Sequence, residues 1–426
     1  MTRQIEQIDA YEVLDSRGYP TLRARVRLSG GAEGSATAPA GASTGVHEIA
    51  ERRDGDPKRY QGKGVQQAAA LVCLEVNRVL HGQDACRQPD IDLTLINFYG
   101  TDHPAELGAN VTCAVSMAVA RAAANAVGLS LYQYLGGPNA RRLPVPMMNV
   151  INGGLHADNS LDFQEFMIVP HGAPNFSEAL RYGAETFHAL KSILRESGHS
   201  TAVGDEGGFA PNLKDNQEAC GLIVDAIVRA GLEPGSDVAI ALDPAASSFF
   251  ENDKYVLRKS RAGDVSTDAL LALYSRLVEA YPIVSVEDGF AEDDWAGFQA
   301  QMVAMGQHVQ IVGDDLYTTN EARIQKGIRL SATNAVLIKI NQIGTLTETI
   351  NAIEACQSAG WRYIISHRSG ETEDTFIADF AVAMGGGQIK TGSLSRSERL
   401  AKYNRLIEIE RELCQSAIYQ SPFTKD

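Results

Sequence analysis

Over residues 1 to about 30, apolar and polar positions alternate in strand fashion. Ile5, Ile8 and the stretch 11–14 lead to a turn at Ser16-Arg17-Gly18, and Leu22, Ala24, Val26 and Leu28 follow with polar residues between them. A period of two with a turn in the middle predicts a β-hairpin with one wet face. Segments 65–80 and 109–127 switch to helical spacing. Between hairpin and helices, 38–45 reads Ala-Pro-Ala-Gly-Ala-Ser-Thr-Gly, with no bulky anchor, and is expected to be a mobile loop. Strands first and helices after predict a small α+β domain over 1–135.

A Gly-Gly-Pro-Asn run at 136–139 marks the boundary to a second domain, 140–426. Strand-like segments at 145–151 and 164–169 open it, and two helical segments follow in succession at 177–196 and 216–230. From Val238 onward strand and helix alternate strictly. Six strand-like segments there, at 238–244, 283–289, 310–315, 335–342, 362–367 and 388–392, deliver Asp243, Glu287, Asp314, Lys339, His367 and Lys390. Such alternation suits a (β/α)8 barrel or an open doubly wound sheet. No G-x-G-x-x-G or Walker A fingerprint is present. An open sheet gathers its chemistry at one switch point, whereas a barrel rings all its strand ends around one mouth. The expected fold is therefore α/β: a C-terminal (β/α)8 TIM-like barrel with an irregular ββαα start, preceded by the smaller α+β domain.

A net charge of −15 argues against general nucleic-acid binding, because a phosphate backbone would be repelled. Residues 1–10 are polar and charged, so no secretory signal is read and a cytoplasmic protein is expected. Segment 109–127 is interrupted by Asn110, Ser116 and Arg121 and reads as a buried helix rather than a membrane span. Six scattered cysteines lack metal or redox spacing and read as reduced thiols.

Three carboxylates at one mouth, Asp243, Glu287 and Asp314, would repel each other unless they are protonated or share a cation. An all-oxygen set favours a hard ion such as Mg2+ over zinc. Lys339, within an apolar stretch, is either a general base kept neutral by burial or a structural partner of the acids, and Lys390 carries the same ambiguity. His367-Arg368-Ser369-Gly370 offers a guanidinium fork and a hydroxyl to a phosphate or carboxylate. Glu206, in Gly204-Asp205-Glu206-Gly207-Gly208, and His156, in a Gly-rich loop, read from the residues alone as parts of ordinary solvated loops.

Taken together, these motifs resemble the enolase family. The match is carried by Leu14-Asp15-Ser16-Arg17-Gly18, Gly41-Ala42-Ser43-Thr44-Gly45, Arg53-Asp54-Gly55-Asp56, 149–154 with His156, and 164–168. It continues through 204–209, 285–289, 291–295, 313–316, 339–345, 366–374, 388–393 and 397–403, nearly end to end, and some stretches are similar to bacterial members. The resemblance implies reversible Mg2+-dependent dehydration of 2-phospho-D-glycerate to phosphoenolpyruvate. It implies Asp243, Glu287 and Asp314 around a first Mg2+, with Ser43 helping to hold a second that arrives with substrate. Lys339 would remove the C2 proton, and Glu206, assisted by Glu165, would protonate the departing C3 hydroxyl. Lys390 would meet the substrate carboxylate and Arg368 and Ser369 its phosphate; His156 would close over the site and His367 would line it. Charges balance only if Lys339 is neutral and Glu206 protonated. A homo-oligomer is also implied, at least a dimer, with octamers among bacterial members.

Three positions depart from the family pattern: Ala40 where Ser is common, Pro244 after Asp243, and Ser248 where Glu is common. They bear on loop flexibility and rate rather than on the reaction. Two rival readings stand beside this one. The first is another Mg2+-dependent lyase of the same superfamily, against which Arg368-Ser369 and the Gly-Ala-Ser-Thr loop argue. The second is a non-catalytic scaffold, on RNA-degradation machinery or at the cell surface, which the filled catalytic positions disfavour.

Overall fold

The computed structural model describes residues 2–41, 45–98 and 107–423. The expected hairpin is β1 (Ile5–Leu14) against β2 (Pro20–Leu28), and β3 (Glu33–Thr37) adds an antiparallel third strand. Leu22, Ala24, Val26 and Leu28 are fully buried while Arg25 and Arg27 face solvent. The helix Ala109–Val127 lies across this sheet with most of its length buried. Its small residues allow very close approach: a Cβ on Gly34 of β3 would meet the Ala122 amide nitrogen at 2.2 Å. The expected helix at 65–80 is present but has a π-helical middle, Val72–Val76. Among the described residues no single helix is long and apolar enough to cross a membrane.

After a short strand β4 (Arg142–Leu143) the chain builds a closed eight-stranded barrel. Its first strands are β5 (Val145–Asn152), β6 (Glu165–Val169) and β7 (Ala239–Asp243). A side sheet of β8 (Phe250–Glu251), β9 (Lys254–Leu257) and β10 (Gly263–Val265) interrupts. The remaining staves are β11 (Ile283–Glu287), β12 (Gln310–Gly313), β13 (Ala335–Ile338), β14 (Arg362–Ser366) and β15 (Gln388–Lys390). Finally β16 (Ile418–Tyr419) pairs with β4. Asn175, Asp215 and Thr345 cap three barrel helices by accepting the amide three residues on.

The expected irregular start takes a definite form. β6 is antiparallel to both β5 and β7, because only a 3-10 turn, Gly154–His156, and no α-helical crossover separates it from β5, so a short return reverses the chain. The strand ends also fall earlier than the apolar pattern suggested. Lys339 lies one residue beyond β13, before the short helix Ile340–Ile343, and Asp314 and His367 likewise follow their strands.

The N-terminal segment docks on the barrel through the motif at its first turn. Ser16 N donates to Glu371 O at 2.7 Å, and Ser16 Oγ to Ser369 O at 3.3 Å. Ala40, one of the departures, forms a backbone bridge with Gly370 beside the expected phosphate motif.

Candidate active site

The barrel gathers its charged residues at one end. Asp243, Glu287 and Lys390 are the last residues of β7, β11 and β15. Glu165 joins them from the other direction: it is the first residue of the reversed strand β6, in register with Asp243. A search for acids at C-terminal strand ends overlooks it; only the family motif pointed there.

Lys390 is the hub. Its Nζ lies 2.9 Å from Asp243 Oδ2 and 3.0 Å from both Glu287 oxygens. It also lies 2.9 Å from Glu165 Oε2. Burial disfavours the Lys390 ammonium, yet Asp243, Glu165 and Glu287 together hold its pKa well above the ordinary lysine range. Glu287 is pushed well above the usual carboxylate range by burial and then by Asp243.

Lys339 donates to Asp314 Oδ2, and Asp314 Oδ1 accepts from Gln342 Nε2 at 3.0 Å. Burial works against both charges, but the pair outweighs it: Asp314 is lowered and Lys339 raised. In this arrangement the Lys339 pKa is shifted upward, opposite to the lowering expected of a buried base. Asp314 touches its Nζ, and that contact outweighs burial and the opposing charge of Arg368.

The second pole contains Glu206 and His156, and neither belongs to a solvated loop: they are 3% and 5% exposed. The glycine turn folds into the barrel, with Gly207 at φ +88° and Ser395 Oγ 2.6 Å from where its Cβ would be. His156 Nδ1 sits between Glu165 and Glu206, at 3.6 and 3.8 Å, while its Nε2 meets Ser369 Oγ at 3.1 Å. His367 Nε2 is 3.3 Å from Glu206 Oε2, and Asn149 Nδ2 donates to the same oxygen at 3.3 Å.

The two acids are driven apart. Burial and then the Glu206 charge raise Glu165 well above its usual range. Burial pushes Glu206 up too, but His367, His156 and Arg399 outweigh it and hold Glu206 well below. The two shifts run in opposite directions, so the carboxyls titrate as a coupled pair rather than independently.

Arg368 is buried and held by Glu48, at 2.9 and 3.1 Å, and by Asn341 Oδ1 at 3.1 Å. Glu48 reaches it from the N-terminal segment, a partner that sequence reasoning missed. Ser43, expected at a second ion, lies outside the described residues, as do Ala42 and Thr44. Asp288 and Asp315 were also missed, although the doublets Glu287-Asp288 and Asp314-Asp315 at strand ends were a readable signal. Asp288, at φ +41°, accepts the amides of Asp314 and Asp315 at 2.9 and 2.7 Å. Burial raises Asp288 well above its usual range, and burial with Asp314 raises Asp315 to about 8.

Among the described residues, ligand atoms close enough to share one ion occur in His156–Glu165–Glu206 and in Asp288–Asp314–Asp315. The expected trio is arranged differently, with Asp243 and Glu287 on Lys390 and Asp314 on Lys339. The donor chemistry nevertheless fits a hard dication. Six carboxylates and three fixed cations line a cavity of ≈ 30 Å³. Glu287, just behind, remains under-neutralised by Lys390 alone, and all-oxygen donors in excess of positive charge suit Mg2+.

The comparisons agree with the motifs. The chain matches the family models "Enolase, N-terminal domain" over residues 5–135 and "Enolase, C-terminal TIM barrel domain" over residues 140–425. It is 58% identical over 417 residues to Enolase 1 of Methylococcus capsulatus, covering 98% of this chain and 99% of that protein. It is 56% identical over 421 residues to the enolase of Desulfotalea psychrophila, covering 98% and 100%.

Proposed function

The chain belongs to the enolase family, and from that premise we propose how its barrel mouth divides the work of the family's reaction. The activity is the reversible, Mg2+-dependent hydro-lyase reaction that converts 2-phospho-D-glycerate to phosphoenolpyruvate in glycolysis and gluconeogenesis. Its substrate is a small phosphorylated acid.

Lys339 takes the proton from C2, and the Glu165–Glu206 pair supplies one at the C3 hydroxyl as it leaves. The observation that carries this division is the spread of charge across the mouth. One buried lysine stands on Asp314 at one pole, and at the other two carboxyls shifted in opposite directions stand beside His156 and His367. Abstraction beside a carboxylate builds negative charge, so the site must hold cations against it. Lys390 meets the substrate carboxylate, while Arg368 and Ser369 receive the phosphate. His156 covers the bound substrate. Asp243, Glu287 and Asp314 would hold one Mg2+, and Ser43 with the substrate phosphate a second. Bound Mg2+ supplies positive charge to the developing enolate.

Residues 1–135 act as a domain that contributes the Gly-Ala-Ser-Thr loop, and 140–426 as the catalytic barrel. The protein works in the cytoplasm as a homo-oligomer, at least a dimer. Lys339→Ala tests the reading: it should reduce turnover by about 10²–10⁴-fold and abolish exchange of the C2 proton with solvent. Retained exchange would remove Lys339 from the role of base.

A further inference from the structure

One motif has no part in the division above: Ser397–Tyr403, at the start of the helix Ser397–Leu413. That turn buries Arg399 and Lys402 completely behind the mouth. Lys402 Nζ holds Glu371 at 2.9 Å and the Thr372 carbonyl at 2.6 Å. Arg399 reaches further in. Its Nη1 is 2.6 Å from His367 Nδ1 and 2.7 Å from the Arg368 carbonyl oxygen. Its Nη2 donates to Ser369 O at 2.5 Å and to Asp205 O at 3.1 Å. One guanidinium thus ties the loop bearing His367, Arg368 and Ser369 to the turn bearing Glu206.

The contact with His367 carries chemical information. A guanidinium only donates, so Nδ1 must present a lone pair and the ring proton must sit on Nε2. Nε2 is the atom 3.3 Å from Glu206 Oε2. Burial, aided by the Arg399 charge, holds His367 down at about 4, so the ring is neutral near neutrality. In the other tautomer a lone pair would face the Glu206 carboxylate, and Nδ1–H would collide with the guanidinium.

We propose that Arg399 is a positioning residue for the acid step: it locks the His367 tautomer that donates to Glu206. It thereby governs loss of the C3 hydroxyl and not removal of the C2 proton. This rests on the reading of Lys339 as base and Glu206 as acid.

The test uses the full-length protein with Mg2+, comparing wild type, Arg399→Lys and Glu206→Gln. Phosphoenolpyruvate formation is followed by absorbance, and C2 hydrogen exchange by NMR of 2-phosphoglycerate in D2O. Lysine keeps the charge but cannot reach all four acceptors, so Arg399→Lys should slow turnover by about 10–100-fold. Exchange should persist, raising the exchange-to-turnover ratio as Glu206→Gln does. A purely structural role would lower both rates together and leave the ratio unchanged, which would overturn the inference on Arg399 alone. Loss of exchange in Glu206→Gln would instead overturn the acid–base reading beneath it. Should Arg399→Lys fail to fold, neutron diffraction of the wild-type protein decides: a deuteron on His367 Nε2 is expected, and one on Nδ1 refutes the proposal.

Discussion

The two ends of the barrel are made by the same eight strands and could hardly differ more. At the mouth, Glu165, Asp243, Glu287 and Lys390 are buried as a charged cluster. Toward the floor, Val145, Val169, Ala239 and Ala335 form an apolar cluster, packed against Tyr419 and Phe423 of the C-terminal segment. β6 makes the lesson plain, because it runs backwards yet still places Glu165 at the mouth and ends at Val169 in the apolar layer. What matters is which end of the barrel a residue reaches, not which end of its strand it occupies. One end is packed as an ordinary core, and the other holds charges that stabilise the fold poorly and serve chemistry.

That contrast can be broken by substitution. The largest stability effect is expected at Lys390→Met, which leaves three buried carboxylates without their shared ammonium and should cost about 3–5 kcal/mol. Added Mg2+ should restore part of that loss in urea unfolding; indifference to Mg2+ would count against a cation site among those acids. Leu337→Ala, in the apolar layer, should cost about 2–5 kcal/mol through its cavity, with Mg2+ giving no rescue and turnover preserved. A large fall in kcat there would mean that the two ends are not separable.

The smallest effect is a pH dependence. The folded pKa of His367, about 4, lies below the unfolded value near 6.5, so the unfolded chain takes up the proton first as pH falls. The His367 contribution is complete above pH ~6.5 and is lost towards pH ~4, up to about 3 kcal/mol. His367→Gln should flatten this part of the acid limb in thermal melts, and an unchanged slope would place the proton uptake elsewhere.

Much of this arrangement was legible in the chain. Alternation in 1–30 located the hairpin because one face is buried and the other wet, and repeated strand–helix alternation implied the barrel. Asp243, Glu287, Asp314, Lys339, His367 and Lys390 stood out because each interrupts or follows an apolar run. Glu206 and His156 did not, since a glycine-rich turn looks the same whether it faces solvent or folds inward. Glu165 was hidden by a strand reversal that periodicity does not record, and Glu48 by its distance along the chain from Arg368.

The order of apolar and polar residues was enough to specify the elements, their alternation and the inventory of reactive groups, because these depend on local periodicity and on residue chemistry. Only the folded chain decided which charge stands beside which. It set Lys339 against Asp314, Glu206 beneath His156 and His367, and Arg399 against His367 Nδ1. Protonation follows from burial and from separations of a few ångströms between residues far apart in the chain, and those distances exist only after packing.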